Sequence, residues 1–157
     1  MSAVGTVLKS RGFAFELIPH EQTYTTIEEA RALGIAADEV LKTVILDTAQ
    51  GHALAVIPGA RRLDMKLVRE AVGDRHVRLA SEEEIERDFP GYELGAVPPM
   101  GSLLGVRMLV DPEVLRHETV VFAAGSQTES VRMRTTDLLA EEAHEVAPLT
   151  RHPEEDV

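Results

Sequence analysis

Residues 40–58 read VLKTVILDTAQGHALAVIP, two apolar runs over 42–48 and 52–58 parted by the turn segment AQGH. Short runs rich in β-branched residues, with so little chain between them, pair as an antiparallel hairpin. This pairing constrains the fold more than any other feature. In a doubly wound sheet each strand reaches the next through a long crossover, which a four-residue turn does not allow. The hairpin also places a cation in unusual company. On strand periodicity Val40, Lys42, Val44 and Leu46 share one face, and Leu41, Thr43 and Ile45 share the other. Two readings of Lys42 stand open: a lysine at the strand mouth, its stem on the core and its head in solvent, or a lysine aimed into a pocket.

The remaining patterns interleave helices with more strands. An amphipathic start with Val4, Val7 and Leu8 closes at Gly12, and FAFELIP (13–19) alternates as a first strand. Thr26 and Glu29 are spaced as a capping box for the helix IEEARAL, which stops at Gly34. Asp64 caps MKLVREAV, HVRLA forms a short strand, and Ser81 with Glu84 opens the acidic helix EEEIERDF. Pro90, Gly91, Gly95, Pro98, Pro99, Gly101 and Gly105 then break regular structure across 90–105, which predicts a shaped loop. VRMLVD, TVVFAAG and SVRMRT follow as strands, with Gly125 in the turn between the last two, and a helix around DLLAEEA comes last. The expected fold is α+β: a single domain over 1–147 with a mixed, mainly antiparallel sheet, then a polar tail over 148–157 that frays.

Composition narrows the class of partner. A chain of 157 residues fits one domain and buries a core without staples. It has no cysteine, which excludes disulfides, thiolate metal sites and cysteine nucleophiles. No apolar run approaches the ~18 residues of a membrane helix, so a soluble, cytoplasmic protein with no membrane partner is expected. The net charge of −11 argues against broad attachment to nucleic acid, DNA included. Arg61, Arg62, Lys66, Arg69, Arg75 and Arg78 nonetheless outnumber the Asp64, Glu70 and Asp74 among them. Arg61, Arg62 and Lys66 are the candidate phosphate contacts here, against the alternative of a solvated helix face.

Several chemistries lack their motifs. There is no G-x-G-x-x-G, no phosphate-binding G-x-x-x-x-G-K-[ST] and no H-E-x-x-H, and the six histidines show no tight ligand spacing. No metal or cofactor is expected. Ser126 follows a glycine, but AAGSQ is not a nucleophile elbow. What stands out beside Lys42 is GAVPP, residues 95–99, followed by Met100 and Gly101. Glycine lets the backbone approach a ligand, and adjacent prolines stiffen the loop. The amides of Gly95 and Ala96 are then candidate donors to a carbonyl or oxyanion, and a purely structural loop is the other reading.

In order along the chain, PHEQTYTTIEEA, VLKTVIL, LAVIPGARRLDMKLV, GYELGAVPPMG with its G-x-x-x-P, and FAAGSQ before VRMRTTDLL resemble the YbaK/ProX family over roughly residues 10–140. That family includes freestanding aminoacyl-tRNA deacylases and the editing domain inserted in bacterial prolyl-tRNA synthetases. The resemblance implies a YbaK-like fold in which the sheet curls into a partly open barrel with flanking helices. It implies that Lys42 is the essential pocket lysine, with Thr43 beside it in the substrate site. Gly95, Ala96, Val97, Pro98, Pro99 and Gly101 would cradle the aminoacyl group, Gly125 and Ser126 would form a pocket wall, and His20 would lie in the early histidine segment.

The implied activity is metal-independent hydrolysis of the ester of a mischarged tRNA by a freestanding editing enzyme, with tRNA(Pro) a candidate and an aminoacyl-tRNA synthetase a candidate partner. The alternative is a non-catalytic module that holds aminoacyl-tRNA ends, an amino acid or a synthetase. Three positions depart from the resemblance. Ala123 stands where members specialised for cysteinyl-tRNA(Pro) carry serine, Ile18 lies near where they carry tyrosine, and Gln127 stands where many relatives carry histidine.

Overall fold

The computed structural model describes residues 3–151. Its first half contains α1 (Ala3–Ser10), β1 (Phe15–Pro19), α2 (Thr26–Leu33), β2 (Leu41–Thr48), β3 (Gly51–Pro58), β4 (Arg62–Leu63) and α3 (Met65–Val72). There follow β5 (Arg78–Leu79), α4 (Glu82–Asp88), α5 (Gly101–Leu104), β6 (Arg107–Val110), β7 (Thr119–Ser126), β8 (Glu129–Arg134), α6 (Thr135–Ala140), β9 (Glu145–Val146) and β10 (Thr150–Arg151). Short 3-10 turns stand at Ala37–Glu39 and Pro112–Arg116.

The hairpin is the centre of the fold. β2 and β3 pair antiparallel from Leu41 opposite Pro58 to Thr48 opposite Gly51, and they sit inside a five-stranded sheet ordered β5-β2-β3-β6-β9. β6 joins β3, and β9 joins β6, in parallel, so the sheet is mixed. Both faces of the hairpin are largely covered, which is why its runs are mainly apolar rather than alternating. Leu41, Ile45, Leu54 and Val56 pack with Val4 and Leu8 of α1 and with Phe122 and Val131 of the second sheet. Leu46, Ala53, Ala55 and Ile57 pack instead against Val68 of α3, Leu109 and Leu149. Each fully buried leucine among these contributes about 1.5–3 kcal/mol of transfer free energy.

The second sheet is ordered β1-β8-β7, and a third consists of β10 on β4. An isolated parallel bridge from Val40 to Val121 ties the second sheet to the start of β2. No sheet closes on itself among the described residues, so the architecture is a mixed α+β domain, with the sheets meeting at that bridge. No helix among them is long and apolar enough to cross a membrane.

Local expectations shift in four places. The cap of α2 is Thr25, whose side chain accepts from the Glu28 amide, one residue ahead of the expected Thr26–Glu29 pair. Glu29 is thereby released from capping and turns inward. Gly125 lies within β7 at an irregularity of register rather than in the following turn, which falls at Gln127 and Thr128. The segment 90–105 is a loop, as its prolines and glycines require, but it includes the short helix α5. Finally, part of the expected tail is built into the core. Leu149 is fully buried, and the buried Asp111 carboxylate accepts from the amides of Leu149 (2.9 Å) and Thr150 (3.0 Å). Residues 152–157 of that tail lie outside the described residues.

Candidate functional site

The free edge of β2 defines the site. Along one edge β2 is bonded to β3 throughout; along the other it meets β5 only at Leu46 and Asp47, where the Ala80 amide also donates to the Ile45 carbonyl (2.9 Å). At its start the Val40–Val121 bridge takes over. Between these contacts the edge over 42–44 carries no strand partner among the described residues. Main-chain polar groups alternate between edges along a strand, so the N–H and C=O of Thr43 face the same open edge as the Ile45 carbonyl. The Thr43 side chain adds to this: its Oγ1 is buried and has no hydrogen-bond partner among the described residues.

Two cavities flank this gap, and both are lined by Lys42, Thr43, Gly95 and Val97. One, of about 230 Å³, continues to Tyr24, Thr25 and Thr26 at the start of α2 and to Ala123 of β7. The other, of about 190 Å³, is walled by apolar groups, among them Leu79 and Ile85. Lys42 stands where they meet. Its face of β2 continues through Val44 and Leu46 toward the α3 side of the core, but Lys42 itself is exposed, and no hydrogen bond or ion pair engages its ammonium among the described residues. The lysine is therefore both at the strand mouth and on the wall of a cavity. Neither cavity is lined by a histidine or a carboxylate, and no group of three or more metal-ligating side chains occurs among the described residues.

The loop that faces β2 is held by close backbone approach. Gly95 has φ +75°, and a Cβ there would stand 2.4 Å from the Tyr24 carbonyl oxygen. Only glycine fits. Gly125 serves the loop from behind: its amide donates to the Ala96 carbonyl (2.8 Å) and its carbonyl accepts from the Glu93 amide (3.0 Å).

The residues singled out in the sequence thus divide. Lys42, Thr43, Gly95 and Val97 come together around the gap. Ala96, Pro98, Pro99 and Gly101 are buried, and none of them lines either cavity. At Gly101 a Cβ would meet the Val106 carbonyl oxygen at 2.7 Å, so its smallness serves the packing of α5. The Ser126 hydroxyl bonds Thr128 Oγ1 (2.9 Å) and does not reach the cavities. His20 is also apart from them. Its Nε2 lies 2.8 Å from Ser130 Oγ, which donates in turn to the buried Glu29 carboxylate, and burial pushes the Glu29 carboxyl up despite that bond and the nearby imidazole.

The candidate phosphate contacts follow the end of the hairpin that lies nearer the cavities. Pro58 pairs with Leu41 and the Gly59 amide donates to the Val40 carbonyl (2.7 Å), so the chain leaving β3 passes beside the site. Arg61 is engaged internally, 3.8 Å from Glu113 and 3.5 Å from Thr150 Oγ1, whereas Lys66 is exposed. Tyr24, Thr25 and Thr26 escaped sequence reasoning. Their capping signal marks where a helix begins, but not what its first turn faces. A larger groove of about 560 Å³, bordered by His117, Thr135 and Leu139, contains none of the residues singled out. Its arginines are already paired, Arg116 with Glu113 (3.5 Å) and Arg134 with Glu118 (3.6 Å).

Comparison with known proteins gives a consistent set of likenesses. A family model described as the aminoacyl-tRNA editing domain matches residues 20–140. The chain is 27% identical over 131 residues to the prolyl-tRNA editing protein ProX of Acetoanaerobium sticklandii, covering 79% of each. It is 29% identical over 93 residues to a proline–tRNA ligase of Thermosipho melanesiensis, a match that takes in 59% of this chain and spans only 16% of the ligase. Among solved structures, a candidate trans-editing enzyme for prolyl-tRNA synthetase superposes with a TM-score of 0.83 at 28% identity, covering 95% of both chains.

Proposed function

Because this chain belongs to the aminoacyl-tRNA editing domain family, we propose that it is a freestanding deacylase that hydrolyses the ester of a mischarged tRNA at the gap in β2. One observation carries the reading: Lys42, whose ammonium has no hydrogen-bond or ion-pair partner among the described residues, lines both cavities beside the open main-chain edge of Thr43. In this reading the cavity lined by Tyr24, Thr25, Thr26 and Ala123 takes the aminoacyl group, and the apolar one takes the terminal nucleoside. At about 230 Å³ the first suits a small side chain. Synthetases separate small or isosteric side chains by only about 10- to 200-fold, so a second site that removes the error product meets a real need.

Water attacks the ester carbonyl carbon and negative charge develops on the carbonyl oxygen. The Lys42 ammonium and the Thr43 N–H stabilise that charge in the tetrahedral intermediate. The Thr43 carbonyl, on the same edge, accepts from the substrate's α-ammonium. The bond from carbon to ribose oxygen then breaks, and the departing ribose oxygen receives the proton that the attacking water gives up. This route needs no protein base, in keeping with cavities that contain neither carboxylate nor imidazole. Lys66 and Arg62, on the chain leaving β3, contact tRNA phosphates, and a prolyl-tRNA synthetase is the partner suggested by the ligases that carry a similar segment.

The test is a deacylation panel of preformed mischarged tRNAs, prolyl-tRNA acceptors included. Hydrolysis of at least one is expected, with apparent affinity falling as salt rises. The lack of a carboxylate or imidazole in either lining gives the second reading its footing: a module that binds the same tRNA end without cleaving it. Saturable binding with no turnover on any substrate would establish that reading instead.

A further inference from the structure

Gln127 makes four hydrogen bonds, two to each of the chain segments that bracket the larger of the two cavities at Lys42. Toward the segment before α2, its Oε1 accepts from Gln22 Nε2 (2.8 Å) and its carbonyl accepts from the Thr23 amide (2.9 Å). Toward the loop, its Nε2 donates to the Leu94 carbonyl (2.8 Å) and its amide donates to Glu93 Oε1 (3.1 Å). The residues next in line, Tyr24 on one side and Gly95 on the other, both line the cavity. They also touch, since a Cβ on Gly95 would stand 2.4 Å from the Tyr24 carbonyl oxygen. Gln127 is buried, at 8% exposure, so these bonds are shielded from competing water.

We infer that Gln127 is a positioning residue: a clip that fixes the separation of the two cavity walls and so the enclosure of the aminoacyl group. This rests on the deacylase reading only for the identity of what is enclosed. The side chain suits the task because an amide offers a donor and an acceptor in one plane, one for each wall. A carboxylate would lack the donor that Leu94 requires. β2 is not part of the clip, and this separates two consequences. Lys42 and Thr43 keep their places when the clip is lost, so the chemical step survives while enclosure weakens. Loss of the clip is therefore a loss of binding, read in KM, with kcat little changed.

The test uses the full chain and two variants. Gln127→Met keeps the length of the side chain and removes both amide bonds. Gln22→Leu, at an exposed position, removes one bond to one wall and keeps the chain folded. Amide hydrogen exchange without ligand should accelerate in Gln127→Met by about tenfold in both the 23–26 and the 94–97 segments, the factor that one to two net hydrogen bonds carry. In Gln22→Leu only 23–26 should accelerate, and less. Where Gln127→Met deacylates, KM should rise about tenfold at nearly unchanged kcat. Faster exchange in one wall alone for Gln127→Met, or a loss confined to kcat as in a partly unfolded sample, overturns the inference. If the wild type hydrolyses no aminoacyl-tRNA, the deacylase reading fails by itself, and the exchange pattern still decides whether the clip exists. If Gln127→Met does not fold, unaltered exchange in Gln22→Leu is the refuting result.

Discussion

Replacement of Lys42 by alanine is expected to separate function from stability cleanly. The side chain is exposed and no internal partner engages its ammonium among the described residues. A substitution at such a position changes stability by no more than about 0.5 kcal/mol. For a domain of this size that corresponds to a shift in Tm of about 1–2 °C. The effect expected on catalysis, if the proposed role holds, is far larger. Removing one preorganised donor from a developing oxyanion costs about 2.7–4 kcal/mol, a factor of 10² to 10³ in rate. Single-turnover release of labelled amino acid from a mischarged tRNA, with enzyme in excess, reads that factor without interference from product release. Melts by circular dichroism on the same preparations read the other. Lys42→Arg keeps the charge but moves it onto a larger, planar group and should recover only part of the rate. Activity of Lys42→Ala within about threefold of wild type would remove the lysine from the mechanism. A Tm lowered by more than about 5 °C would show that its role is structural.

Two further predictions probe the surroundings. Gly95→Ala places a side chain at φ +75° against the Tyr24 carbonyl, and should cost about 1–3 kcal/mol in a chemical denaturation series while weakening substrate binding; an unchanged midpoint and KM would show that the loop yields freely. His52 links the hairpin to α4, with Nε2 2.7 Å from Asp88 and Nδ1 3.2 Å from the Leu46 carbonyl. Burial disfavours its imidazolium, but the bonds to Asp88 and Leu46 and the charges of Asp88 and Asp47 outweigh burial and raise its pKa above the ordinary 6.5. A raised folded-state value means that this contribution to stability is fully present below pH 6.5 and is lost as pH rises through the folded pKa. Tm measured from pH 5.5 to 8.5 should fall along this range in the wild type, and His52→Gln should flatten that limb; an identical slope in both proteins refutes the assignment.

The sequence by itself determined a good deal. Two apolar runs across a glycine-containing turn can only pair locally, so the hairpin and the α+β class followed from spacing and period alone. Capping at Ser81 and Asp64 was legible for the same reason, since a cap is a contact among neighbours in the chain. The pairing of Lys42 with the Gly95 loop was suggested by resemblance, but what makes a site of them is tertiary. The gap in β2 exists because, among the described residues, β5 is too short to cover it and β7 pairs with this stretch only through the bridge at Val40. Neither fact has a local signal. Tyr24–Thr26 entered the cavity wall through the packing of α2. Gly101, Ser126 and His20 line neither cavity, because their partners, Val106, Thr128 and Ser130, are chosen by the fold. Gln127 illustrates the same limit. In the sequence it stands out only as a departure from the histidine of many relatives, and its proposed role rests on bonds to residues 22–23 and 93–94, which are distant in sequence. Periodicity and capping report which groups a residue prefers nearby; which distant groups arrive there depends on how the sheets meet.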